Sequence, residues 1–224
     1  SIDKAIDDRS GLTAAASMGV GEPTVAKTGV STGDTVHLDI IDRFGNMVSC
    51  TPSGGWLQSS PIIPKLGFCL GNRGQMFWLD EKSPSALVPG KRPRTTLSPS
   101  LALKDGKPYM VFGTPGGDQQ DQWSTIMFLH HADHGMNLQE AIDCPAFHTD
   151  HFPSSFWPRS YLPKKVVLEG RFPVSTVTEL KRRGHDIDVS EPWSEGRLTG
   201  ASRDGAILKA AANARGMQGY AAGR

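Results

Sequence analysis

Strand-like runs of apolar and β-branched residues begin abruptly at Thr35, after a polar, glycine-containing stretch. Residues 35–42 and 47–51 form the first two runs, and residues 43–46 between them include a glycine and an asparagine. Two such runs joined by a short turn of this composition predict a β-hairpin. The change in character at Thr35 therefore marks the start of a sheet.

A second hairpin and a long helix are predicted further along the chain. Residues 101–104 and 109–112 are strand-like, and Asp105-Gly106 between them is a pair that favours a type I′ turn. The glycine-rich loop at residues 113–117 then leads into a predicted helix at residues 119–132.

The last third of the chain adds two helices and three strands. Asn137 and Glu140 form a capping-box pattern for a short helix that stops before Pro145. A longer helix is predicted at residues 173–183 and ends at Gly184. Short strands are predicted at residues 166–169, 186–189 and 207–211. Hairpins followed by helices that pack on them indicate a layered α+β fold.

Residues 1–33 differ from the rest because they are poor in large apolar side chains. Residues 5–16 predict a turn or two of helix, and residues 19–33 read as a linker. The chain does not begin with Met, so we expect a piece of something longer.

Composition and charge narrow the range of partners. The chain has 224 residues, enough for one sizeable domain with a core. Its 24 basic and 23 acidic residues leave a net charge of +1, and no basic stripe favours nucleic acid as a partner. No apolar run approaches the roughly 20 residues of a membrane-spanning helix, so no membrane partner is expected. Association of the chain with copies of itself, as a homo-oligomer, is left open.

The cysteines and histidines do not predict a metal site or a disulfide framework. The three cysteines are an odd number in mostly apolar settings, which favours buried thiols in a reducing compartment. A cytoplasmic location is therefore expected, with periplasm and secretion left open because a chain that starts mid-protein shows no signal peptide. His130, His131 and His134 resemble the exposed end of a helix, and we expect no metal and no cofactor.

Thr35 is the leading candidate for chemistry because it opens the first strand. If the chain is cut between Asp34 and Thr35, the freed α-amino group can act as general base for the hydroxyl of the same residue. Such a nucleophile needs no separate His or Asp, and the sequence has no recognisable Ser/His/Asp order. Taken alone, Thr35 is equally an ordinary β-branched residue at the start of a strand.

Two later segments combine groups that suit an acyl-transfer site. Ser53 follows the second strand, so a closed hairpin would bring its hydroxyl near Thr35, although a serine in a turn needs no such role. The loop at residues 91–99 combines adjacent cations and hydroxyls. Arginine and hydroxyl donors of this kind suit a substrate carboxylate, although a charged loop is often simply solvated. The donors in question are Arg92, Arg94, Thr95 and Thr96.

The loop Pro115-Gly116-Gly117-Asp118 connects a strand to a helix. Two glycines let successive backbone N–H groups converge on one point, and the helix N-terminus adds positive potential. An oxyanion hole for acyl transfer is built in this way. Asp118 is expected to cap the helix. A Gly-Gly pair at such a turn is by itself common.

The order of these motifs resembles the γ-glutamyltransferase family. A strand-initial Thr, a Gly-Asn turn, Thr-x-Ser, Lys-Arg-Pro-x-Thr-Thr-x-Ser-Pro and Gly-x-Pro-Gly-Gly follow one another from about Gly33 to the C-terminus. The resemblance is to the small, catalytic subunit, which that family makes by self-cleavage of one precursor. It implies an N-terminal-nucleophile hydrolase fold, a four-layer αββα sandwich. Residues 1–34 would then be the tail of the large-subunit portion, and residues 35–224 the catalytic domain.

The resemblance implies a reaction without a cofactor. Thr35 would be the nucleophile, freed by cleavage after Asp34, and would act on a small-molecule amide such as a γ-glutamyl compound. Ser53 stands where the family has a threonine that hydrogen-bonds the nucleophile. The large-subunit segment of the same precursor would be the partner of this chain.

Binding residues are implied in the same way. Thr95 and Thr96 stand where a serine pair holds the α-carboxylate of the glutamyl group, and Gly116 and Gly117 stand at the oxyanion-hole glycines. The family's arginine for that carboxylate lies in the large subunit.

Two departures from the family pattern put the substrate in question. Gly55 replaces an asparagine, and Met76 replaces the acidic residue that binds the α-amino group. A free glutamyl amino group would lose about 2 to 4 kcal/mol without that carboxylate. An acylase for a non-glutamyl amide is therefore an alternative function. A third alternative is a catalytically silent, unprocessed fragment, because the amide nitrogen of Thr35 cannot take a proton while Asp34 remains attached.

Overall fold

A computed structural model describes residues 35–54, 61–215 and 219–223. The expectations for residues 1–34, including Asp34 and the linker, and for Gly55 lie outside these residues. Within them, none of the helices is both long enough and apolar enough to cross a membrane.

The Thr35 hairpin, residues 35–53, is built on two short antiparallel strands. Strand β1 (Leu38–Ile41) pairs with β2 (Met47–Cys50), and Leu38 lies opposite Cys50. The turn closes because the Asp42 carboxylate accepts the backbone N–H groups of Phe44 and Asn46 at 2.8 and 2.9 Å. The predicted first hairpin is confirmed.

The main sheet has four antiparallel strands, namely β5 (Ser100–Lys104), β6 (Lys107–Gly113), β10 (Thr199–Asp204) and β11 (Ile207–Ala212). Their order across the sheet is β11-β10-β6-β5. Asp105 and Gly106 join β5 to β6 with positive φ angles of 51° and 73°, as a type I′ turn requires. The predicted second hairpin is therefore confirmed.

Strand β10 was not predicted, although it lies in the middle of this sheet. Its sequence, Thr-Gly-Ala-Ser-Arg-Asp, has few of the residues that favour strands. It is extended because β6 and β11 pair with it on both sides. Its small residues also suit a position between two layers, since Ala201 and Ser202 are both buried.

Two helices cover one face of the main sheet. They are α1 (Gln120–Ala132) and α2 (Leu138–Asp143), both close to the predicted bounds. Asn137 and Glu140 form the predicted capping box at the start of α2. Side chains from the sheet and both helices share one core, which includes Met110, Phe112, Trp123, Met127, Leu138 and Ile142.

The Thr35 hairpin lies on the opposite face of the main sheet. Neighbouring residues of a strand point to opposite faces, so Val111, between two residues of the helical core, points towards the hairpin and is fully buried. The Ser49 hydroxyl donates to the carbonyl of Phe112 at 3.2 Å and joins the two sheets. The described residues thus form three layers in the order hairpin, sheet and helices. Leu38, Ile40 and Val48 leave the outer face of the hairpin apolar and 40%, 54% and 50% exposed.

The remaining elements form smaller units beside this sandwich. A three-stranded sheet contains β7 (Phe147–Thr149), β8 (Lys165–Glu169) and β9 (Asp186–Ser190), with the exposed helix α3 (Val174–Arg182) between the parallel pair β8 and β9. Strands β3 (Ile62–Ile63) and β4 (Phe68–Cys69) pair with each other, and a 3-10 turn follows at Arg73–Met76. The predicted strands and helix at residues 166–189 are confirmed.

Candidate active site

Thr35 lies at the entrance to β1 and is 8% exposed. Its hydroxyl oxygen is 2.7 Å from the hydroxyl oxygen of Ser53, across the open end of the hairpin. The backbone N–H of Val36 donates to the carbonyl of Pro52 at 3.1 Å and holds the two chain segments side by side. The hairpin therefore brings together two hydroxyls that lie 18 residues apart in sequence.

The glycine loop begins where the main sheet meets the Thr35 hairpin. Strand β6 ends at Gly113, and the imidazole of His37 packs directly against that glycine. Gly116 and Gly117 follow with φ angles of 135° and 61°, which side-chain-bearing residues rarely adopt. A 3-10 turn at Gly117–Gln119 then leads into α1, so the N–H groups of the loop lie at the start of a helix.

Asp118 does not cap α1, and that expectation is wrong. Its carboxylate accepts the backbone N–H of Ser155 at 2.8 Å, together with the hydroxyls of Ser154 and Ser155. The N-cap residue of α1 is Gln119, which makes no side-chain cap. Asp118 instead attaches the loop at residues 152–161 to the glycine loop, because three hydrogen-bond donors of that loop converge on it.

The cationic loop at residues 91–99 approaches the start of α1 from another side. The backbone N–H of Ser98 donates to the side-chain carbonyl of Gln120 at 3.2 Å. Thr96 is 7% exposed, and its hydroxyl has no hydrogen-bond partner among the described residues. Thr95 is exposed, and its hydroxyl accepts the N–H of Leu97.

The two arginines of this loop differ in their surroundings. The guanidinium of Arg94 donates to the hydroxyl of Ser155 at 2.6 Å and lies 3.9 Å from the carboxylate of Asp118. Its side chain is still 46% exposed, so part of the guanidinium faces solvent. Arg92 is exposed. Of the two, Arg94 is the one that the fold holds beside the glycine loop.

A second arginine network connects the loop at residues 152–161 to the 3-10 turn. Arg159 donates to the carbonyls of Ser155, Gln75 and Phe77 at 2.8, 3.2 and 2.7 Å. At the other end of this segment, the N–H of Asn72 donates to the carbonyl of Gly54, next to Ser53. The hydrogen-bonded segments thus run from Thr35 and Ser53 round to Asp118 and back to the glycine loop.

Comparisons with known proteins show the family of the chain. The family model of gamma-glutamyltranspeptidase matches residues 1–223. The chain belongs to the gamma-glutamyltranspeptidase family. It is 36% identical over 169 residues to an oxamate amidohydrolase proenzyme of Klebsiella pneumoniae. The matched region covers 75% of this chain and 31% of that protein. The chain therefore spans about a third of the length of this relative.

Solved structures support the same family and confirm the fold. One described as LmbA2991HD superposes with a TM-score of 0.78 at 58% identity, over 84% of this chain and 34% of the other. A cephalosporin acylase from Bacillus halodurans superposes with a TM-score of 0.68 at 32% identity, over 81% of this chain and 32% of the acylase. The prediction of an N-terminal-nucleophile hydrolase fold is confirmed.

Met76, the residue that the resemblance leads us to expect in place of an acidic residue, has a fully buried side chain. Arg159 lies beside it, because its guanidinium donates to the carbonyls of Gln75 and Phe77 on either side of Met76. Burial and then the charge of Arg94 lower the pKa of Arg159, against an opposing effect of Asp118. The charges of Arg94, Arg159 and Asp118 thus interact with one another.

Some residues around Thr35 were not singled out from the sequence. His37, Asp39 and Thr51 form a buried hydrogen-bonded group on the inner face of the hairpin. The period-two spacing of polar residues after Thr35 was a signal that could have found them. Ser155 and Arg159 carried no signal, because their role depends on loops that are distant in sequence.

No group of three metal-ligating side chains occurs in the part of the chain that the structure describes. The ring of His131 lies between the hydroxyl of Tyr109, at 2.9 Å, and the carbonyl of Met136, at 2.7 Å. Burial and the neighbouring His134 lower the pKa of His130. These histidines therefore belong to the packing around the end of α1.

Proposed function

We propose that this chain is the catalytic portion of an amide hydrolase or acyl transferase in which Thr35 is the nucleophile. The observation that carries the proposal is the 2.7 Å contact between the Thr35 and Ser53 hydroxyls. This pair lies at the head of a strand that packs, through His37, on the strand leading to Gly116 and Gly117. A nucleophile beside a glycine loop at a helix start is the arrangement that acyl transfer needs.

Cleavage between Asp34 and Thr35 would supply the general base. The freed α-amino group takes the proton of the Thr35 hydroxyl as its oxygen attacks the substrate carbonyl carbon. The N–H groups of Gly116 and Gly117 bind the oxyanion of the tetrahedral intermediate. The intermediate collapses to an ester on Thr35, and the leaving amine takes the proton from the terminal ammonium. Water or an amine then attacks the ester and regenerates the hydroxyl.

The substrate class proposed is an amide whose acyl group carries a carboxylate and no α-ammonium group. Arg94, with its partly exposed guanidinium, and the hydroxyls of Thr95 and Thr96 suit the carboxylate, and Arg92 adds positive charge to the same loop. Met76 offers no charge for an ammonium group. The relative named oxamate amidohydrolase supports an anionic substrate. A γ-glutamyl compound is the alternative.

Thr35→Ala in the complete precursor tests the chemistry. Intact mass spectrometry should show wild-type protein shortened to a species that begins at Thr35, and no such species from the variant. Thr35→Ser keeps a hydroxyl and is the matched control. Processing or full amidase activity of the alanine variant would remove Thr35 from the mechanism. An unprocessed wild-type precursor would favour the catalytically silent alternative.

A panel of amides tests the substrate class. We expect turnover of oxamate or glutaryl anilide and no turnover of γ-glutamyl anilide, because the glutamyl ammonium would have no carboxylate at Met76. The reverse result would assign the chain a γ-glutamyl substrate and leave the Thr35 chemistry intact.

The proposed partner is the upstream portion of the same precursor. Relatives are proenzymes about three times as long as the matched region. Among the described residues, the outer face of the Thr35 hairpin is apolar and partly exposed at Leu38, Ile40 and Val48. A further layer packed on these side chains would complete the αββα sandwich.

A further inference from the structure

The inner face of the Thr35 hairpin carries polar side chains in cross-strand pairs. Residues two apart in a strand share a face, so Thr35, His37 and Asp39 point the same way. Asp39 lies opposite Ser49 in the strand register. The other two pairs are joined by hydrogen bonds of 2.7 Å, namely Thr35 with Ser53 and His37 with Thr51.

His37 is the middle member of this face and is buried, with a side chain only 1% exposed. Its Nε2 atom is 3.0 Å from the carboxylate of Asp39, and its Nδ1 atom is 2.7 Å from the hydroxyl of Thr51. A carboxylate only accepts hydrogen bonds, so Nε2 carries the proton. In the neutral ring, Nδ1 then accepts the Thr51 hydroxyl. Asp39 therefore determines both the tautomer and the orientation of the ring.

The same ring connects the hairpin to the strand that leads into the glycine loop. A methyl group added at Gly113 would lie 2.4 Å from Cε1 of His37 and 2.7 Å from Nε2, so the ring rests directly on the backbone. The Thr199 hydroxyl donates to Asp39 at 2.8 Å, and Thr199 is the cross-strand neighbour of Gly113. Both side chains thus meet the main sheet at one place.

We propose that His37, oriented by Asp39, is a positioning residue that sets the separation between Thr35 and the N–H groups of Gly116 and Gly117. The inference depends on the proposed Thr35 chemistry and assigns His37 no contact with substrate. Thr35 precedes β1 of one sheet, and Gly116 and Gly117 follow β6 of the other. The separation between the Thr35 hydroxyl and the two N–H groups therefore depends on contacts between the two sheets. His37 is two residues from Thr35 in the sequence, and Gly113 is three residues from Gly116, so the contact between His37 and Gly113 is close to both groups.

A double-mutant cycle between His37→Ala and Gly113→Ala tests the contact in the complete precursor. Alone, Gly113→Ala should slow self-cleavage and amide turnover by about 10²-fold, because its methyl group displaces the ring and a shift near 1 Å has that effect. With His37→Ala already present, the methyl group meets no ring and should add little. Gly223→Ala is the matched control, since nothing lies within 4 Å of its added methyl group and the residue lies outside the site segments.

Asp39→Leu tests orientation, with Asp39→Asn as the matched control. One oxygen of Asp39 accepts both Nε2–H of His37 and the Thr199 hydroxyl, and an amide oxygen can accept both in the same way, whereas leucine leaves the ring without its acceptor. We expect kcat to fall about 10²-fold with unchanged KM in Asp39→Leu, and Asp39→Asn should retain most of the activity, a pair of outcomes that a purely structural role does not produce. Additive effects in the cycle, or unchanged kcat in a folded Asp39→Leu variant, would overturn the inference. An active Thr35→Ala variant would instead refute the underlying chemistry.

Discussion

Gly116 lies at a φ of 135°, and the ring of Trp123 occupies the space that any larger residue would need at that position. An added methyl group would be 2.3 Å from Cζ3 of the indole. Trp123 is 2% exposed and also packs against Gly196, so it has little room to move. Conformation and packing therefore both require glycine at the position where the proposed mechanism needs an N–H donor.

We expect Gly116→Ala to lower kcat by about 10²- to 10³-fold, the effect of losing one oxyanion donor. The backbone must rotate or shift to accept the methyl group, and either movement misdirects the N–H. Steady-state kinetics on an anilide that the wild type turns over would measure the change, with Gly223→Ala as the control. Unchanged kcat in a folded variant would contradict a role for Gly116.

Ser53 supplies the second prediction at this scale. Ser53→Ala removes the hydroxyl that lies 2.7 Å from the Thr35 hydroxyl, and we expect kcat to fall about 10²-fold with little change in KM. Ser53→Thr keeps a hydroxyl and should retain most of the activity. Equal losses in both variants would show that the size of the side chain matters and the hydrogen bond does not.

Helix α2 shows how an element can depend on its first residue. The Asn137 side chain accepts the N–H of Glu140 at 3.0 Å, and Glu140 reaches back to the N–H of Asn137 at 2.9 Å. The helix has six residues, too few to be stable alone. Its buried residues Leu138, Ala141 and Ile142 contribute to the core on the main sheet, so the cap and the packing act together.

We expect Asn137→Ala to lower the free energy of unfolding by about 1 kcal/mol, because the first turn of α2 loses its cap. Asn137→Asp preserves the acceptor and should lose little stability. Urea unfolding of the precursor would measure both. Kinetic constants should stay unchanged, since Asn137 belongs to none of the proposed site segments. A loss of equal size in Asn137→Asp would contradict the capping role.

Across the whole molecule, a buried ion pair connects three segments. Arg215, 2% exposed, forms two hydrogen bonds with the carboxylate of Glu169 at 2.9 and 3.0 Å. It also donates to the carbonyls of Ile142 and Cys144, at the end of α2. Burial raises the pKa of Glu169, but hydrogen bonds from Arg215 and Arg171 outweigh that effect and lower the pKa below 4.5.

This ion pair predicts a dependence of stability on pH. Because the pKa of Glu169 is lowered on folding, its contribution is complete above 4.5 and is lost as pH falls through the folded value. We expect Glu169→Gln to cost about 3 to 5 kcal/mol near neutral pH, since it leaves Arg215 buried without a counter-charge. Urea unfolding at a series of pH values should show the difference from wild type shrinking below 4.5. A constant difference would contradict the assignment.

The apolar outer face of the Thr35 hairpin gives a prediction about assembly. Ile40 is 54% exposed there, and Ile207 is similarly exposed, at 62%, on β11. We expect Ile40→Glu to prevent co-purification with the upstream portion of the precursor, because a charge would be buried under the added layer. Ile207→Glu should not. Loss of association in both variants, or in neither, would argue against the hairpin face as the docking surface.

The sequence by itself determined the local features of this protein. Both predicted hairpins, the capping box of α2 and the glycine loop depend on turn chemistry and spacing within a few residues. The order of the motifs was enough to identify the family and the fold.

Tertiary structure alone decided the contacts between distant segments. Strand β10 is extended because two neighbours pair with it, and Asp118 binds Ser155, which lies 37 residues away. The packing of His37 on Gly113 likewise requires two sheets to meet face to face. Propensity and spacing describe the chain over a few residues, whereas these contacts depend on which surfaces the completed fold brings together.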